Sequence, residues 1–203
     1  QHGADLFTIM HEGPEDALKE TRFTQPAILF HSVAAMQAFQ RQVHVQPDVV
    51  AGHSLGEFTA LVAAGILSPD SAMYLVHRRG QFMIEANEGK PFAMAAIVGP
   101  SPERVKQICE EASEQGVVIA ANYNTPVQTV ISGSAAGVER ACELARADGA
   151  KRVAPLVVGG PFHSPLIEKA RGWLSEEIDK LDFTPSDIPL VSNVDALPTT
   201  DLE

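Results

Sequence analysis

A serine enclosed by two glycines has the setting of a nucleophile. Residues 52–56 read Gly-His-Ser-Leu-Gly and fit the pattern G-x-S-x-G, with a short apolar run before them and helix-forming residues after them. A serine on such a strand-to-helix turn is lifted clear of the sheet and lies at the positive end of the helix. There the Leu55 N–H can donate to an oxyanion that forms on a bound carbonyl group. The pattern predicts Ser54 as a nucleophile; the alternative is a glycine-bounded turn in which Ser54 is an ordinary N-cap.

A nucleophilic serine needs a base, and His163 is the best placed of the seven histidines. It follows Ser54 in the chain and stands after Gly-Gly-Pro-Phe at a strand-to-helix junction, where hydrolase-type folds offer a base from a loop. His53 adjoins the serine in the turn, so its ring cannot easily approach the hydroxyl, and we expect it to line the pocket. The alternative for His163 is a helix-capping or buried role. The others have surface or core interpretations: His2, His11, His31, His44 and His77.

Composition excludes several classes of protein. The chain has 203 residues, of which 45% are hydrophobic, enough to bury a core. A formal net charge of −11 and the lack of a Lys/Arg run argue against binding to nucleic acid or anionic membranes. No apolar stretch approaches the roughly 20 residues of a membrane helix. The two cysteines, Cys109 and Cys142, lack the spacing of a zinc site. We therefore expect a soluble, cytoplasmic protein without a metal.

The apolar residues follow a pattern typical of an α/β core interrupted by a smaller α/β unit. Between residues 90 and 158 the predicted elements run β-α-β-β-α-β, the order of a ferredoxin-like subdomain. Residues 1–89 and 159–203 form the core with a parallel sheet, in which a buried strand at 47–51 leads into the turn at Ser54. The other core elements are predicted as helices at 26–40, 55–64, 69–86 and 166–181 and a strand at 188–194.

Six segments of the chain resemble the malonyl-CoA:acyl-carrier-protein transacylase family, which includes the acyltransferase domains of polyketide synthases. They occur in the family's order, and the extended elbow GHSLGE is far more specific than G-x-S-x-G. The segments are TQPAILFHS at 24–32, GHSLGEFTAL at 52–61, RRGQFM at 78–83, ANYNTPVQTVISG at 121–133, GGPFHSPL at 159–166 and VSNVDA at 191–196. The resemblance implies a hydrolase-like core with a ferredoxin-like subdomain inserted between serine and histidine.

The resemblance also assigns roles to the residues that match the family's motifs. It implies that Ser54 is the acylated nucleophile, that His163 is its general base, and that Arg79 binds the free carboxylate of the malonyl group. Leu75, Arg79 and Phe82 are spaced by four and three positions, which places the guanidinium on an otherwise apolar helix face, where it needs a partner. A planar, bidentate donor suits a carboxylate.

The alternative for Arg79 is a buried salt bridge with Glu57 or another acid. Two further residues match positions that line the family's acyl pocket. Phe162 occupies the position that correlates with malonyl over methylmalonyl, because its bulk crowds an α-methyl branch, although one methyl group is worth only about 1–3 kcal/mol. Asn124 is expected in the same pocket. Core packing is the alternative for both.

The chain departs from the family's pattern at both ends. The family opens with a G-Q-G-x-Q segment that supplies a second oxyanion donor, and no segment here matches it. The family also continues past the N-V-D-A motif to a residue whose backbone carbonyl orients the histidine, whereas this chain ends at Glu203. We therefore expect a fragment with an incomplete site, and losing one oxyanion donor lowers a rate by roughly 100- to 1,000-fold.

The function that the resemblance implies is transfer of a malonyl group from coenzyme A to the phosphopantetheine thiol of an acyl carrier protein, through a malonyl ester on Ser54. Malonyl-CoA and the carrier protein are the expected partners, coenzyme A enters as a substrate thioester, and no bound cofactor is expected. One alternative is a serine ester or thioester hydrolase, which would gain nothing from Arg79. The other is a catalytically incomplete fragment that only binds a carrier protein; the acidic composition argues against it, because carrier proteins are usually acidic.

Overall fold

Helices dominate the fold, which was established from a computed structural model that describes residues 5–201. Serine side chains begin two of them, because the Ser101 and Ser134 hydroxyls accept the N–H groups of Arg104 at 3.3 Å and Gly137 at 3.2 Å. In the described residues the helices are α1 (Leu6–Glu12), α2 (Glu15–Lys19), α3 (Thr21–Gln40), α4 (Gly56–Ala63), α5 (Pro69–Glu85), α6 (Pro102–Ala112), α7 (Ala135–Ala147) and α8 (Glu168–Ile178), and a 3-10 turn at Pro165–Ile167 precedes α8.

The strands form two sheets. They are β1 (Val50–Ala51), β2 (Phe92–Val98), β3 (Val118–Thr125), β4 (Gln128–Ser134), β5 (Arg152–Pro155), β6 (Leu190–Val191) and β7 (Pro198–Thr199). One sheet has the order β1-β6-β7, with β1 parallel to β6 and β6 antiparallel to β7. The other has the order β3-β4-β2-β5 and is antiparallel throughout. The chain is therefore an α/β fold with one mixed and one antiparallel sheet, and in the described part of the mixed sheet only the β1–β6 pair is parallel.

The chain divides into two compact units. The first contains the residues up to Gln81 and those from Leu174 onward, and the second is Phe82–Trp173. The second unit is wider than the predicted subdomain at 90–158. It also contains the last turn of α5 and the first part of α8, and within it the Phe82 and Trp173 rings pack with their centroids 5.6 Å apart.

The second unit contains the predicted β-α-β-β-α-β order from β2 to β5. Helices α6 and α7 contact each other and contribute to one apolar cluster with the sheet, because each helix carries its apolar residues on one face. Fully buried members of this cluster include Ile97, Val105, Ile108, Ile131 and Ala141.

The first unit places the predicted nucleophile turn between a short strand and α4. Strand β1 pairs with β6 in parallel register, Val50 opposite Leu190 and Ala51 opposite Val191. Helices α3, α4 and α5 share an apolar cluster, in which Leu29 and Leu75 are each 1% exposed. Since Leu55 at the start of α4 also belongs to this cluster, the turn before it is anchored on both sides.

Two helices, α3 and α8, differ most from their predicted bounds. Helix α3 begins at Thr21, five positions before the predicted start, and Pro26 lies inside it. A proline within the second turn removes one hydrogen bond, and the burial of Pro26 and Leu29 on the packed face offsets that loss. The helix predicted from residue 166 begins instead as the 3-10 turn, because the Ser164 hydroxyl caps it by accepting the Leu166 N–H. No helix between residues 5 and 201 is long and apolar enough to cross a membrane.

Candidate active site

Ser54 lies on a strained turn between β1 and α4. Its φ of 53° is in the left-handed region, which costs a non-glycine residue about 1–3 kcal/mol and must be enforced by its surroundings. Gly52 makes the turn possible, because a Cβ at that position would lie 1.9 Å from the Gly56 carbonyl oxygen. A Cβ on Gly56 would meet nothing within 4 Å, so only the first of the two glycines is required by close approach.

The start of α4 leaves one amide beside Ser54 without an acceptor. The Gly56 N–H donates to the His53 carbonyl oxygen at 2.9 Å, and the Glu57 N–H donates to the Ser54 carbonyl oxygen at 3.3 Å. In the part of the chain that the structure describes, the Leu55 N–H makes no hydrogen bond, as expected for an amide ahead of the first helical turn. The role of the Leu55 N–H as an oxyanion donor remains a prediction.

The Arg79 guanidinium contacts the predicted nucleophile directly. Its Nη2 donates to Ser54 Oγ at 3.0 Å, and its Nη1 donates to Gln25 Oε1 at 2.7 Å. Gln25 is buried, with 6% of its surface exposed, and the Phe58 ring lies below the guanidinium with its centroid 5.8 Å from Cζ. Arg79 on α5 therefore contacts Gln25 of α3, Phe58 of α4 and the turn at Ser54.

The charge of Arg79 is not neutralised by a salt bridge within residues 5–201. Burial lowers the pKa of Arg79 to about 10, and the negative charge of Glu57 acts in the opposite direction. A pKa of about 10 still keeps the guanidinium protonated at neutral pH. The predicted alternative, a direct salt bridge to Glu57, is wrong for the described residues, because the hydrogen-bond partners of Arg79 are the neutral Ser54 and Gln25.

Asn193 is a site residue to which the sequence assigned no role. Its Oδ1 accepts the Ser54 N–H at 2.8 Å, and its Nδ2 donates to the Gly52 carbonyl oxygen at 2.6 Å. Its own N–H donates to Glu57 Oε1 at 3.0 Å. The signal was present in the segment VSNVDA, but a hydrogen bond between residues 139 positions apart follows only from the β1–β6 register.

His163 and Phe162 lie in the second unit, on the turn that precedes α8. His163 is exposed and has a φ of 60°, and Phe162 is half-buried. A Cβ on Gly160 would lie 3.0 Å from the edge of the Phe162 ring, so the absence of a side chain there accommodates the phenylalanine. The turn is closed by Ser164, whose N–H donates to the Pro161 carbonyl oxygen at 3.2 Å.

The predicted site residues are divided between the two units. Ser54, Leu55 and Arg79 lie together in the first, with His53 exposed at the same turn. Phe162, His163 and Asn124 belong to the second; the exposed Asn124 donates from Nδ2 to Gln128 Oε1 at 3.1 Å on the β3–β4 hairpin. The roles of His53, Phe162 and Asn124 and the pairing of His163 with Ser54 remain predictions. Among the described residues, no group of three His, Cys, Asp or Glu side chains is arranged to hold a metal ion.

Comparison with known proteins matches this arrangement to one family. A malonyl CoA-acyl carrier protein transacylase of Bacillus subtilis (strain 168) is 47% identical over 192 residues, which are 94% of this chain and 60% of that protein. The crystal structure of an acyl-carrier-protein S-malonyltransferase from Burkholderia pseudomallei 1710b superposes with a TM-score of 0.94 at 44% identity, over 98% of this chain and 65% of that one.

A third match is a malonyl-transacylase solved in complex with the acyl-carrier protein of a type II polyketide synthase. The two structures superpose with a TM-score of 0.93 at 38% identity, over 97% of this chain and 64% of the transacylase chain. The chain thus spans about three fifths of the length of these relatives. The family model described as the acyl transferase domain matches residues 1–200. The chain belongs to the acyl transferase domain family.

Proposed function

We propose that this chain carries the acyl-binding part of an enzyme that moves a malonyl group from coenzyme A to the phosphopantetheine thiol of an acyl carrier protein. One observation carries the proposal: a partly buried guanidinium donates to the hydroxyl of the elbow serine, Arg79 Nη2 to Ser54 Oγ at 3.0 Å. A serine hydrolase has no use for a cation at this point, whereas an acyl group with a free carboxylate needs one. The names of the relatives agree with this substrate class.

The first half-reaction forms an ester on Ser54. His163 accepts the proton of the Ser54 hydroxyl, and the oxygen attacks the thioester carbonyl of malonyl-CoA. The oxyanion that develops is stabilised by the Leu55 N–H at the start of α4. The C–S bond then breaks, and coenzyme A leaves as the thiol after taking the proton from His163. The residue left on the protein is malonyl-Ser54.

Arg79 holds the carboxylate while the ester exists. In the described structure its two terminal nitrogens donate to Ser54 and Gln25, which are neutral acceptors. A malonate carboxylate is a stronger acceptor than a hydroxyl, so it would replace Ser54 Oγ on Nη2 when malonyl-CoA binds. This exchange frees the serine oxygen for ester formation and places the negative charge beside the guanidinium.

The second half-reaction returns the serine. The phosphopantetheine thiol of the carrier protein gives its proton to His163 and attacks the ester carbonyl, and the Ser54 oxygen leaves and recovers that proton. Coenzyme A and the carrier protein act as substrates, so the reaction needs no resident cofactor or metal. The pair of buried, unpaired cysteines, Cys109 and Cys142, is consistent with a reducing compartment, and we propose a cytoplasmic setting.

The finer fold assignment belongs to the same proposal. The β1–turn–α4 unit supports a hydrolase-like core, because it presents Ser54 as a nucleophile elbow does. The unit from β2 to β5 supports a ferredoxin-like insert, because its four strands alternate with two helices and its sheet order β3-β4-β2-β5 is that of a split βαβ unit. The insert stands between Ser54 and His163 in the chain.

Malonyl-CoA labelling followed by peptide mass spectrometry tests the nucleophile in the complete gene product. Ser54 should gain a malonyl group, and Ser54→Ala should gain none; a label that survives this substitution contradicts the assignment. Release of free malonate without a carrier protein, and no transfer when one is added, would identify the hydrolase alternative.

A second measurement tests the carboxylate site. Arg79→Ala should lower malonyl transfer by about 10- to 100-fold, which is the loss of a charged hydrogen bond, and should leave acetyl transfer within about threefold. Arg79→Lys is the matched control, because it keeps the positive charge and loses the planar pair of N–H donors. Equal losses for the two acyl groups would contradict the role of Arg79.

A further inference from the structure

We infer that Asn193 and Glu57 are positioning residues that hold Ser54 in the conformation required for acylation; this rests on the proposed role of Ser54 as the nucleophile. Neither residue is expected to touch the acyl group. They act on the backbone of the turn, through the three hydrogen bonds that join residues 52, 54, 57 and 193.

The turn needs external support because it is strained. Ser54 has a φ of 53°, and Gly52 lies in contact with the Gly56 carbonyl, so the chain reverses within very few residues. A non-glycine residue reverts to an ordinary conformation unless its surroundings prevent it. The Asn193 side chain binds the turn at two backbone groups. Its Oδ1 accepts the Ser54 N–H at 2.8 Å, and its Nδ2 donates to the Gly52 carbonyl oxygen at 2.6 Å.

The two contacts of the Asn193 side chain require both an acceptor and a donor, which an amide supplies. The Ser54 N–H requires an acceptor and the Gly52 carbonyl requires a donor, so the two partners fix the orientation of the Asn193 amide. An aspartate would keep the acceptor and lose the donor. An alanine would lose both.

Glu57 fixes Asn193 in turn. Its Oε1 accepts the Asn193 N–H at 3.0 Å, so Asn193 is itself bound to the first turn of α4. The same carboxylate raises the pKa of Arg79 against the effect of burial. Glu57 therefore connects the backbone of the elbow to the charge that is proposed to bind the substrate.

The arrangement also separates two neighbouring amides by function. The Ser54 N–H is engaged by Asn193 Oδ1, whereas the Leu55 N–H has no acceptor in the described part of the chain. Asn193 therefore engages the Ser54 amide, and the Leu55 amide remains available for the oxyanion. Loss of Asn193 should therefore impair the chemical step more than substrate binding.

Two readouts on the complete gene product test this inference, one of which does not depend on activity. Asn193→Ala should accelerate hydrogen exchange of the Ser54 amide, followed by NMR, by about 10-fold or more. The rate constant of malonyl-Ser54 formation, measured by rapid quench, should fall about 10- to 100-fold, with KM for malonyl-CoA within about twofold. Asn193→Asp should keep the Ser54 amide protected, because its carboxylate still accepts that N–H.

The control is Val194→Ala, at a neighbouring side chain that is 95% exposed, which should change neither readout. Unchanged Ser54 exchange in Asn193→Ala overturns the inference, whatever the activity. Faster exchange with an unchanged acylation rate also overturns it, because the contact would then be structural only. If the unaltered protein acquires no malonyl group, the proposed function is wrong, and the proposed effect of Asn193 on acylation is wrong with it. Amide exchange at Ser54 distinguishes this case, because it still shows whether Asn193 holds the turn.

Discussion

Ser54 and His163 both have a left-handed backbone, at φ values of 53° and 60°, but the chain holds the two turns in different ways. The turn at Ser54 is held from a distance, by an Asn193 side chain that lies 139 positions further along the chain. The turn at His163 is held by its neighbours, because the Ser164 N–H and hydroxyl both donate to the Pro161 carbonyl oxygen, at 3.2 and 2.7 Å.

The difference determines when each conformation can form. The hydrogen bonds of Ser164 to Pro161 and Leu166 lie within residues 161–166, so this part of the turn does not depend on a distant strand. The elbow needs β6 beside β1 before Asn193 can reach it, so it depends on the native topology. Changes within the elbow should therefore disturb the first unit broadly, and changes at the His163 turn should remain local.

The largest expected effect is that of Gly52→Ala. A Cβ at this position would lie 1.9 Å from the Gly56 oxygen and 2.5 Å from the Glu57 nitrogen, both of which are backbone atoms that cannot rotate away. The elbow must open to admit it. We expect the free energy of unfolding to fall by about 3 kcal/mol or more, measured by urea denaturation, with loss of Ser54 labelling.

Gly56→Ala is the matched control, because a Cβ there meets nothing within 4 Å. Alanine is the better helix former, so stability should stay level or rise by up to about 1 kcal/mol. Equal destabilisation by the two substitutions would show that the close approach at Gly52 does not maintain the turn.

The sequence predicted the parts of the site that depend on local pattern. The G-x-S-x-G spacing placed Ser54 between a strand and a helix, and the helical periodicity placed Arg79 on an apolar face. It did not predict that Arg79 donates to Ser54 and Gln25, because that depends on how α3, α4 and α5 pack. Asn193 was missed because its contacts follow from the pairing of β1 with β6, which the pattern of two strands so far apart in the chain does not specify.

An intermediate effect is expected from Ser164→Ala, which breaks the locally held turn. Ser164 is buried, with 5% of its surface exposed, and its hydroxyl both donates to Pro161 and accepts the Leu166 N–H. Its loss should cost about 1–2 kcal/mol and accelerate amide exchange between residues 161 and 166, without changing exchange at Ser54. Faster exchange at Ser54 would contradict a local role. Ser101→Ala removes an exposed cap and is the control, with a loss of about 1 kcal/mol or less.

The smallest effect concerns a second distant contact in the first unit, between Glu177 on α8 and Tyr74 on α5. The Tyr74 hydroxyl donates to Glu177 Oε2 at 2.6 Å, and this bond, followed by that of Lys180 at 3.0 Å, lowers the pKa of Glu177. A carboxyl whose folded pKa is depressed stabilises the fold above its unfolded pKa, about 4.3 for glutamate, and the contribution disappears as the pH falls through the lower folded value.

At neutral pH, Glu177→Gln should therefore unfold at a lower urea concentration than the unaltered chain, and the urea midpoints of the two should converge below about pH 4. Tyr74→Phe removes the hydrogen bond that lowers the pKa of Glu177 most. The urea midpoint of this variant should therefore depend less on pH than that of the unaltered chain. A urea midpoint difference that stays constant from neutral to acid pH would show that Glu177 contributes packing rather than charge.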